Sequence, residues 1–369
     1  MTKTGGTAEV ARVALVCEPP DGGAAAHVWW LAHGLPAHGY EPVVVVPQDF
    51  AHLDELRTVC EVVTVPFRRD YAHPHDELRV LARLLPVLRR TTLVHAHAAK
   101  AGVLARLAAR LMGRPAVYTP HVFPFVGEIS FARRHFGLLT ERALAPSTAA
   151  LICVCEFERG LVRQERLRPQ RVALVYNGCP SCSHGELAEL PAGLIVGTLS
   201  VLRPQKALDC MLDAMPAITA AVPEAKLVIV GAGPIEAKLR ARAVRLGLDV
   251  TWVPFEPPPA RYLRSFDVYV LSSAWEAFPI GVLEAQACGV PQVVTAVGGT
   301  RESVVPETGI VVPPRDPAAL AEAVIELLRD PQRRAAMSEA SRLRHAERFT
   351  VERMVAGTAA VYDRVLSDT

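Results

Sequence analysis

Short apolar runs alternate with longer amphipathic segments along the first half of the chain. The apolar runs are rich in Val, Ala and Leu, as expected of strands buried on both faces of a parallel sheet. The predicted strands cover 12–18, 42–46, 62–66, 93–97, 116–119, 151–154 and 172–176, and the predicted helices cover 24–38, 77–90, 101–112, 131–145 and 157–166. Strands that alternate with helices indicate βαβ units on one parallel sheet.

The periodicity is lost over 179–190, which is predicted to be a linker, and then starts again. The second set of predicted strands covers 194–199, 226–230, 250–253, 267–271, 292–296 and 309–312, and the helices cover 208–221, 235–246, 317–329, 332–346 and 351–365. A further helix is expected between Pro279 and Gly289. The pattern therefore predicts an α/β fold with two Rossmann-like parallel-sheet domains, residues 1–180 and 185–350, facing across a cleft.

Four polar or glycine-containing loops follow predicted strands directly. They contain Gly22 and Gly23, His121, the segment 203–206, and the segment 276–281. Ligands of open parallel sheets bind beyond the carboxyl ends of the strands. We therefore expect these loops to line one binding cleft.

Composition narrows the class of partner. The chain has 369 residues, a formal net charge of +2 and a mean hydropathy of +0.22. So small a net charge argues against a nucleic-acid-binding protein held by bulk electrostatics. The first half is mildly basic, which fits either ordinary scatter or contact with an anionic acceptor or membrane surface. The oligomeric state is left open.

The location expected from the sequence is the cytoplasm, where peripheral contact with the inner membrane face is also consistent with the charge. The residues 1–9 are polar and do not resemble a signal peptide, and no apolar run reaches membrane-spanning length. Several of the eight cysteines fall in apolar strand patterns and are interpreted as small buried side chains. The single CxxC, Cys179 to Cys182, has no second pair and is interpreted as incidental rather than as a zinc or redox site.

The segment 276–289, EAFPIGVLEAQACG, carries two carboxylates around the start of a helix. Glu276 lies in the loop after a strand, Pro279 is placed where a helix begins, and Glu284 lies inside that helix. Backbone N–H groups of residues 278–282, including Phe278, Ile280, Gly281 and Val282, are expected to point towards an anion such as phosphate. The two carboxylates would repel phosphate, so their natural partners are hydroxyl groups. A sugar nucleotide offers both phosphate and hydroxyl groups.

Arg203 and Lys206 supply the complementary charge. They follow a predicted strand in one loop, where two cations can hold a diphosphate through charge-assisted hydrogen bonds. Alone they fit a solvated surface pair, but opposite the segment 276–289 they favour the diphosphate. A pair of carboxylates also fits a glycosidase, yet the neighbouring cations favour a diphosphate leaving group, which needs no protonation to depart.

Histidines and glycines complete the candidate site. Gly22 and Gly23 allow a ligand to approach the backbone closely, although many βα turns contain glycine. His121 ends a strand and is a candidate for contacting a sugar hydroxyl. His95 and His97 share one face of a strand, but the sequence identifies no third ligand, so metal binding is not expected.

These residues together resemble the GT-B glycosyltransferases of family 4, retaining enzymes that use nucleotide sugars. The resemblance covers nearly the whole chain. Its most specific motif is E-x7-E, here Glu276 to Glu284, followed by RPQK at 203–206, GAGP at 231–234, VYNG at 175–178 and the Gly-Gly turn. HAHAAKAG at 95–102 and TPH at 119–121 are similar to members that act in surface-polysaccharide, glycolipid or natural-product assembly.

The resemblance implies specific roles. Arg203 and Lys206 would bind the diphosphate, Glu276 and the backbone of 278–281 the donor sugar, and Glu284 the ribose. Gly23 would lie against the phosphates and His121 would face the reacting sugar. The C-terminal helix, 351–366, would pack back on the first domain.

The resemblance also implies metal-independent transfer with retention, without any cofactor, from a nucleotide-sugar donor that is expected to be UDP-linked. The acceptor is either a lipid-linked sugar or a soluble small molecule such as an antibiotic core. A sugar-nucleotide epimerase and a non-catalytic nucleotide-sugar binder are the alternatives. The chain departs from the family at four positions where glycine or aspartate is usual, Val122, Ala207, Ala232 and Ala277, and Ala277 bears on which donor sugar fits.

Overall fold

The computed structural model describes residues 10–67 and 74–368 and contains two parallel sheets. The first sheet has the strand order β3-β2-β1-β4-β5-β6-β7. Its strands are β1 Ala11–Cys17, β2 Tyr40–Val46, β3 Glu61–Thr64, β4 Leu93–His97, β5 Ala116–Thr119, β6 Ala150–Cys153 and β7 Val172–Leu174. The expectation that no signal peptide is present concerns residues 1–9, which lie outside the described residues.

The second sheet has six strands in the order β10-β9-β8-β11-β12-β13. They are β8 Leu194–Leu199, β9 Ala225–Val230, β10 Val250–Val253, β11 Val268–Leu271, β12 Gln292–Thr295 and β13 Gly309–Val312. All pairings in both sheets are parallel, and the centre of each sheet is formed by Val, Ile and Leu side chains that are fully buried. The predicted α/β class with two Rossmann-like parallel-sheet domains is confirmed.

The described residues contain fourteen α-helices, of which the last three follow the final strand β13. They are α1 Gly22–Gly34, α2 Leu53–Val59, α3 Pro74–Leu88, α4 Ala99–Leu111, α5 Phe131–Leu144, α6 Glu156–Gln164, α7 Leu208–Ala221, α8 Glu236–Arg245, α9 Ala260–Leu263, α10 Ile280–Ala287, α11 Thr300–Ser303, α12 Pro317–Arg329, α13 Pro331–Arg348 and α14 Val351–Leu366. Over the described part of the chain, no helix is both long and apolar enough to cross a membrane.

Two helix boundaries differ from the predicted ones for a local reason. The helix expected over 24–38 begins earlier, at Gly22, and ends as an α-helix at Gly34, where Leu35–His38 tightens into a 3₁₀ turn that contains Pro36. Gly39 then closes the turn with a left-handed φ of 80°. The seven-residue helix α2 was not predicted, since two turns offer too little periodicity to identify.

The last helix, α14, follows the second domain in the sequence but packs on the first domain. A side chain at Gly34 of α1 would clash with Val355 of α14, so glycine is what allows the two helices to touch. Tyr40 donates a hydrogen bond to Asp363 at 2.5 Å, and the hydroxyl of Tyr362 lies 2.6 Å from Nδ1 of His95 on β4.

The chain crosses between the domains at two neighbouring points. The N–H of Cys179 donates to the carbonyl of Phe349 at 2.9 Å, and Cys179 forms an isolated parallel bridge with Thr350. A Cβ on Gly178 would lie 2.1 Å from the carbonyl oxygen of Thr350. The two crossings are therefore in direct backbone contact.

One cysteine of the CxxC is bonded, but not to its neighbour in the motif. Cys182 forms a disulfide with Cys288, 106 residues away at the end of α10, while Cys179 is a buried thiol. The interpretation of this CxxC as incidental therefore misses a covalent link made by Cys182. The other six cysteines are thiols, five of them buried. A reducing location does not account for the disulfide, and the cytoplasmic location stays a prediction.

Candidate active site

The four loops expected at the cleft do meet there. Gly22 and Gly23 begin α1 after β1, and His121 follows β5, all in the first domain. Arg203 follows β8 and Glu276 follows β11 in the second domain. A Cβ built on Gly23 would lie 3.3 Å from Cδ1 of Ile280, so the first turns of α1 and α10 face each other at contact distance. The backbone of Gly22 is left-handed, with a φ of 75°, which favours glycine.

Lys206 and Glu276 form a direct ion pair. Nζ of Lys206 lies 2.7 Å from Oε1 of Glu276, and the same oxygen accepts a hydrogen bond from Ser273 at 2.7 Å. Gln205 donates to the other carboxylate oxygen at 3.2 Å. Glu276 is buried whereas Lys206 is only partly so. The carboxylate is therefore held in one orientation at the edge of the cleft, and the ammonium group can also reach a ligand.

Arg203 pairs across the cleft rather than within its own domain. Its Nη2 lies 2.6 Å from Oδ1 of Asp21, which directly precedes α1. The two predicted diphosphate ligands, Arg203 and Lys206, are thus brought to the same cleft, and each contacts a carboxylate. The sequence does not single out Asp21, because an acidic residue before a helix is an ordinary capping residue.

The sequence predicts that a helix begins at Pro279, and α10 does begin directly after this proline. Pro279 is the capping residue with extended backbone, and Gly289, with a φ of 70°, follows the helix at its far end. The predicted row of available N–H groups is shorter than expected, since the N–H of Val282 donates to the carbonyl of Pro279 at 3.2 Å. The side chains of Phe278, Ile280 and Val282 are buried, so any contact that these residues make with a donor would come from the backbone.

Glu284 lies inside α10, at the site expected to meet a ribose. Burial raises the pKa of its carboxyl group to about 7. The same desolvation acts on Tyr269 of β11, whose pKa is raised by burial first and by the charge of Glu284 second. Glu284 is thus a carboxyl group whose ionisation is costly without a ligand, and a donor hydroxyl would offer it a hydrogen bond. Its role towards ribose stays a prediction.

His121 has a strained backbone and a histidine partner. Its φ is 57°, a left-handed value that is uncommon outside glycine, and Nε2 lies 3.1 Å from Nδ1 of His97. Burial lowers the pKa of both imidazoles well below the usual range, so both are neutral. A neutral His121 at the cleft can exchange hydrogen bonds with a hydroxyl but does not add a positive charge.

A polar chain that the sequence analysis missed connects the domains behind these residues. Nδ1 of His27 lies 3.0 Å from Oδ1 of Asn177, and Nδ2 of Asn177 donates to the carbonyl of Phe278 at 2.9 Å. His27 on α1 is 150 residues from Asn177. In the sequence, the VYNG motif draws attention to Asn177. Nothing singles out His27, because it lies within an apolar helical pattern.

Two family models divide the chain at the same point as the sheets. The model described as "Glycosyl transferase 4-like domain" matches residues 22–178, and the model described as "Glycosyl transferases group 1" matches residues 186–344. The first covers the glycine turn and His121. The second covers Arg203, Lys206, Glu276 and Glu284.

Curated proteins with similar sequences are also glycosyltransferases. The chain is 32% identical over 311 residues to a D-inositol 3-phosphate glycosyltransferase of Thermobispora bispora, which covers 75% of this chain and 71% of that protein. It is 38% identical over 157 residues to a GDP-mannose-dependent monoacylated alpha-(1-6)-phosphatidylinositol monomannoside mannosyltransferase of Corynebacterium glutamicum. That second match spans 40% of this chain and 41% of the relative.

Solved structures share the whole architecture. Anabaena Alr3699/HepE in complex with UDP and glucose superposes with a TM-score of 0.82 over 96% of this chain and 100% of that one, at 20% sequence identity. At that identity the likeness shows the fold alone. With the relative from Thermobispora bispora and the two matched models, it completes the assignment. The chain belongs to the group 1, or family 4, glycosyltransferases: it is a GT-B enzyme that transfers a sugar from a nucleotide-sugar donor.

Proposed function

We propose that the enzyme transfers a hexosyl or related sugar from a UDP-sugar to a hydroxyl group of a lipid-linked acceptor, with retention of configuration at the anomeric carbon. The observation that carries this proposal is the pairing at the cleft. Two cations, Arg203 and Lys206, lie in one loop, and Glu276 is fixed 2.7 Å from Lys206 beside the first turn of α10. This combination suits a ligand with a diphosphate next to a hydroxyl-rich sugar.

In the proposed reaction the acceptor hydroxyl attacks the anomeric carbon from the face that the diphosphate leaves. The bond between the anomeric carbon and the phosphate oxygen breaks, and a bond to the acceptor oxygen forms on the same side. The acceptor proton passes to the departing phosphate oxygen, so no protein nucleophile or metal is needed. Arg203 and Lys206 stabilise the charge that grows on the nucleoside diphosphate.

Side chains around the sugar take positioning roles. Glu276, held by Ser273 and Lys206, accepts hydrogen bonds from donor-sugar hydroxyls. Neutral His121 contacts the sugar from the opposite side of the cleft. Glu284 binds the ribose hydroxyls, and the backbone of 278–281 approaches the sugar and phosphates. Gly23, within contact distance of Ile280, lets the phosphates pass close to α1.

The base of the donor is proposed to be uracil. The structural neighbour from Anabaena holds UDP, whereas the relative from Corynebacterium glutamicum is named for GDP-mannose. The UDP proposal follows the neighbour from Anabaena, which covers 96% of this chain, whereas the relative from Corynebacterium glutamicum covers 40%. A guanine-linked donor is therefore the direct competitor in any binding experiment.

A lipid-linked acceptor is favoured over a soluble one by an exposed apolar surface on α5. The side chains of Phe131, Phe136 and Leu139 are 80%, 70% and 51% exposed. Arg133 and Arg134 are exposed on the same helix. The helix adjoins the cleft, because Arg134 donates to the carbonyl of Gly127 at 3.0 Å and a Cβ on Gly127 would lie 3.0 Å from Trp275. Exposed aromatics with arginines suit an anionic lipid surface.

The test is a panel of UDP- and GDP-sugars, each incubated with the enzyme and with lipid-linked or soluble acceptors. The expected result is release of UDP only when a lipid-linked acceptor is present, with the anomeric configuration of the product, read by NMR coupling constants, the same as in the donor. Release without acceptor, accompanied by an epimerised sugar, would replace transfer by the epimerase alternative. Donor binding without turnover against any acceptor would favour the non-catalytic alternative.

A further inference from the structure

Three histidines that are far apart in the sequence meet beside the cleft. His27 comes from α1, His97 from the end of β4, and His121 from the loop after β5. One ring nitrogen from each lies within 4.8 Å of the others. The ring centroid of His27 is 4.7 Å from that of His121 and 5.4 Å from that of His97. We name these three residues the histidine cluster.

The hydrogen bonds of His27 fix which of its nitrogens carries the lone pair. Asn177 uses its amide nitrogen to donate to the carbonyl of Phe278, so its amide oxygen faces His27 and accepts from Nδ1–H. The neutral ring must then carry a lone pair on Nε2. This second-sphere arrangement, in which the outer nitrogen of a histidine is held by an oxygen, also orients histidines that ligate metals.

That lone pair has no partner in the described structure. His27 is 1% exposed and its Nε2 makes no hydrogen bond with any group of residues 10–67 or 74–368. Nε2 of His97, a fully buried residue, is also without a partner over the same residues. Buried polar atoms that remain unpaired cost free energy. The unpaired Nε2 of His27 indicates that the site is built for something it binds, whereas the nitrogen that His97 turns towards His121 is its Nδ1.

The chemistry of the cluster limits what that ligand can be. The members of the cluster offer three neutral nitrogens and no carboxylate, a set that suits zinc and its neighbours in the first transition row rather than Mg²⁺ or Ca²⁺. Tetrahedral Zn²⁺ needs nitrogens about 3.3 Å apart, given Zn–N bonds of about 2.0–2.1 Å. Nδ1 of His97 and Nε2 of His121 are 3.1 Å apart, which already fits. The His27 nitrogen, which lies within 4.8 Å of the others, must approach by up to about 1.5 Å to complete the set.

We propose that His27, His97 and His121 bind one divalent ion of the zinc class through three imidazole nitrogens, with the fourth position open to the cleft. His121 is the only partly exposed member of the cluster, so the open position lies on its side. His95, held by Tyr362 and Thr119 at 2.6 and 2.8 Å, packs against His97 and fixes its strand.

Occupancy of this site has a consequence for catalysis that rests on the proposed function. His121 cannot both ligate the ion and contact the donor sugar. Zn²⁺ bound to the cluster is therefore expected to inhibit transfer by withdrawing His121. His27 contacts no proposed substrate group, so it separates metal binding from catalysis.

The binding experiment uses the full-length enzyme, treated with chelator and then titrated with Co²⁺ as a spectroscopic probe. The expected result is a visible d–d absorption of four- or five-coordinate Co²⁺ that saturates at one ion per chain and is displaced by Zn²⁺. His27→Gln, which keeps a hydrogen-bonding group opposite Asn177, should weaken Co²⁺ binding at least tenfold. His135→Gln, on exposed α5, is the matched control and should bind as the wild type does.

Because His27 is buried, a second variant guards against misfolding. His121→Ala removes the partly exposed ligand and should also weaken Co²⁺ binding at least tenfold, while its melting temperature without metal stays near that of the wild type. Co²⁺ binding that is absent from the wild type, or unchanged in both variants, overturns the metal site. Saturable Co²⁺ binding with no effect of Zn²⁺ on transfer upholds the site and overturns the catalytic role of His121 instead.

Discussion

Arg203 and Asp21 form an ion pair across the cleft, with Nη2 of the guanidinium 2.6 Å from the carboxylate oxygen. One partner belongs to each domain. Both side chains are partly exposed, 29% and 42%, so the pair is weak and its members can change partners. Asp21 thus occupies Arg203 with the same kind of anionic oxygen that a diphosphate would offer.

This competition predicts that Asp21→Asn tightens the binding of UDP. An exposed ion pair is worth about 0.2–1 kcal/mol, so the dissociation constant should fall by up to about fivefold. Titration calorimetry with UDP measures it. Asp54→Asn, which removes another surface carboxylate paired with an arginine, is the control and should leave the constant unchanged. Weaker UDP binding in Asp21→Asn would show that Asp21 helps to hold the ligand.

Lys206→Met should reduce kcat at least 100-fold. The substitution keeps the aliphatic chain but removes a cation that is proposed to stabilise the leaving diphosphate, and groups of this kind typically contribute factors of about 10²–10³. Steady-state UDP release, with the donor varied, separates kcat from KM. The control is Lys226→Met. Lys226 lies on β9, and its ammonium group is 4.0 Å from Asp249. A near-normal rate in Lys206→Met would refute the assignment of the diphosphate site.

Gly281→Ala tests the close packing under the start of α10. A Cβ at this position would lie 2.6 Å from the hydroxyl oxygen of Tyr269, which is almost fully buried. The crowding should lower the free energy of unfolding in urea by about 1–3 kcal/mol. Adding Tyr269→Phe removes the crowded oxygen and should restore part of the loss. If the double variant is no more stable than Gly281→Ala, the clash with Tyr269 is not the cause.

Glu284 predicts a specific pH dependence of stability. Its pKa is raised from 4.5 to about 7 by burial, so the folded protein keeps this proton where the unfolded chain releases it. Stability from this group is present below pH 4.5 and is lost as the pH rises towards 7, by up to about 3 kcal/mol.

Glu284→Gln has no ionisation to suppress and avoids that loss. Its stability relative to the wild type, measured by urea unfolding, should therefore increase from pH 5 to pH 8 by up to about 3 kcal/mol. Glu322→Gln, an exposed position on α12, serves as the control and should show a constant difference. A pH-independent difference for Glu284→Gln would mean that Glu284 ionises normally in the folded enzyme.

The apolar surface of α5 predicts membrane contact. Phe131→Ser combined with Phe136→Ser should weaken cosedimentation with vesicles containing anionic phospholipid at least fivefold, because two exposed aromatic side chains are lost. Transfer to a short-chain, water-soluble analogue of the acceptor should be unchanged. Val244→Ser, at an equally exposed apolar position on α8, is the control. Equal vesicle binding by all three proteins would remove the argument for a lipid-linked acceptor.

The parts of the fold that follow from local pattern were predictable. The helix 317–329 was predicted with the bounds of α12, because Pro317 and an amphipathic repeat define it locally. Pro279 likewise identified the start of α10. Ala207, where the family commonly has glycine, has a left-handed φ of 44°, which gives the departure noted from the sequence a physical meaning.

What the sequence could not supply were contacts between residues distant along the chain. Arg203 and Asp21 are 182 residues apart, His27 and Asn177 are 150 apart, and Cys182 and Cys288 are 106 apart. No local periodicity encodes such pairs, and each member alone fits an ordinary role as a cap, a core residue or a thiol. The candidate residues were therefore predictable one by one, but their partners were not.

The link between Cys182 and Cys288 has a mechanical consequence. It ties the beginning of the interdomain segment to the end of α10, just beyond the point where Cys179 is bonded to Phe349. The stretch free to twist is thereby reduced to a few residues around Gly178 and Thr350. A movement of one domain against the other would then pivot beside the end of α10, the helix whose first turn is proposed to contact the donor, with that end of the helix covalently attached to the pivot.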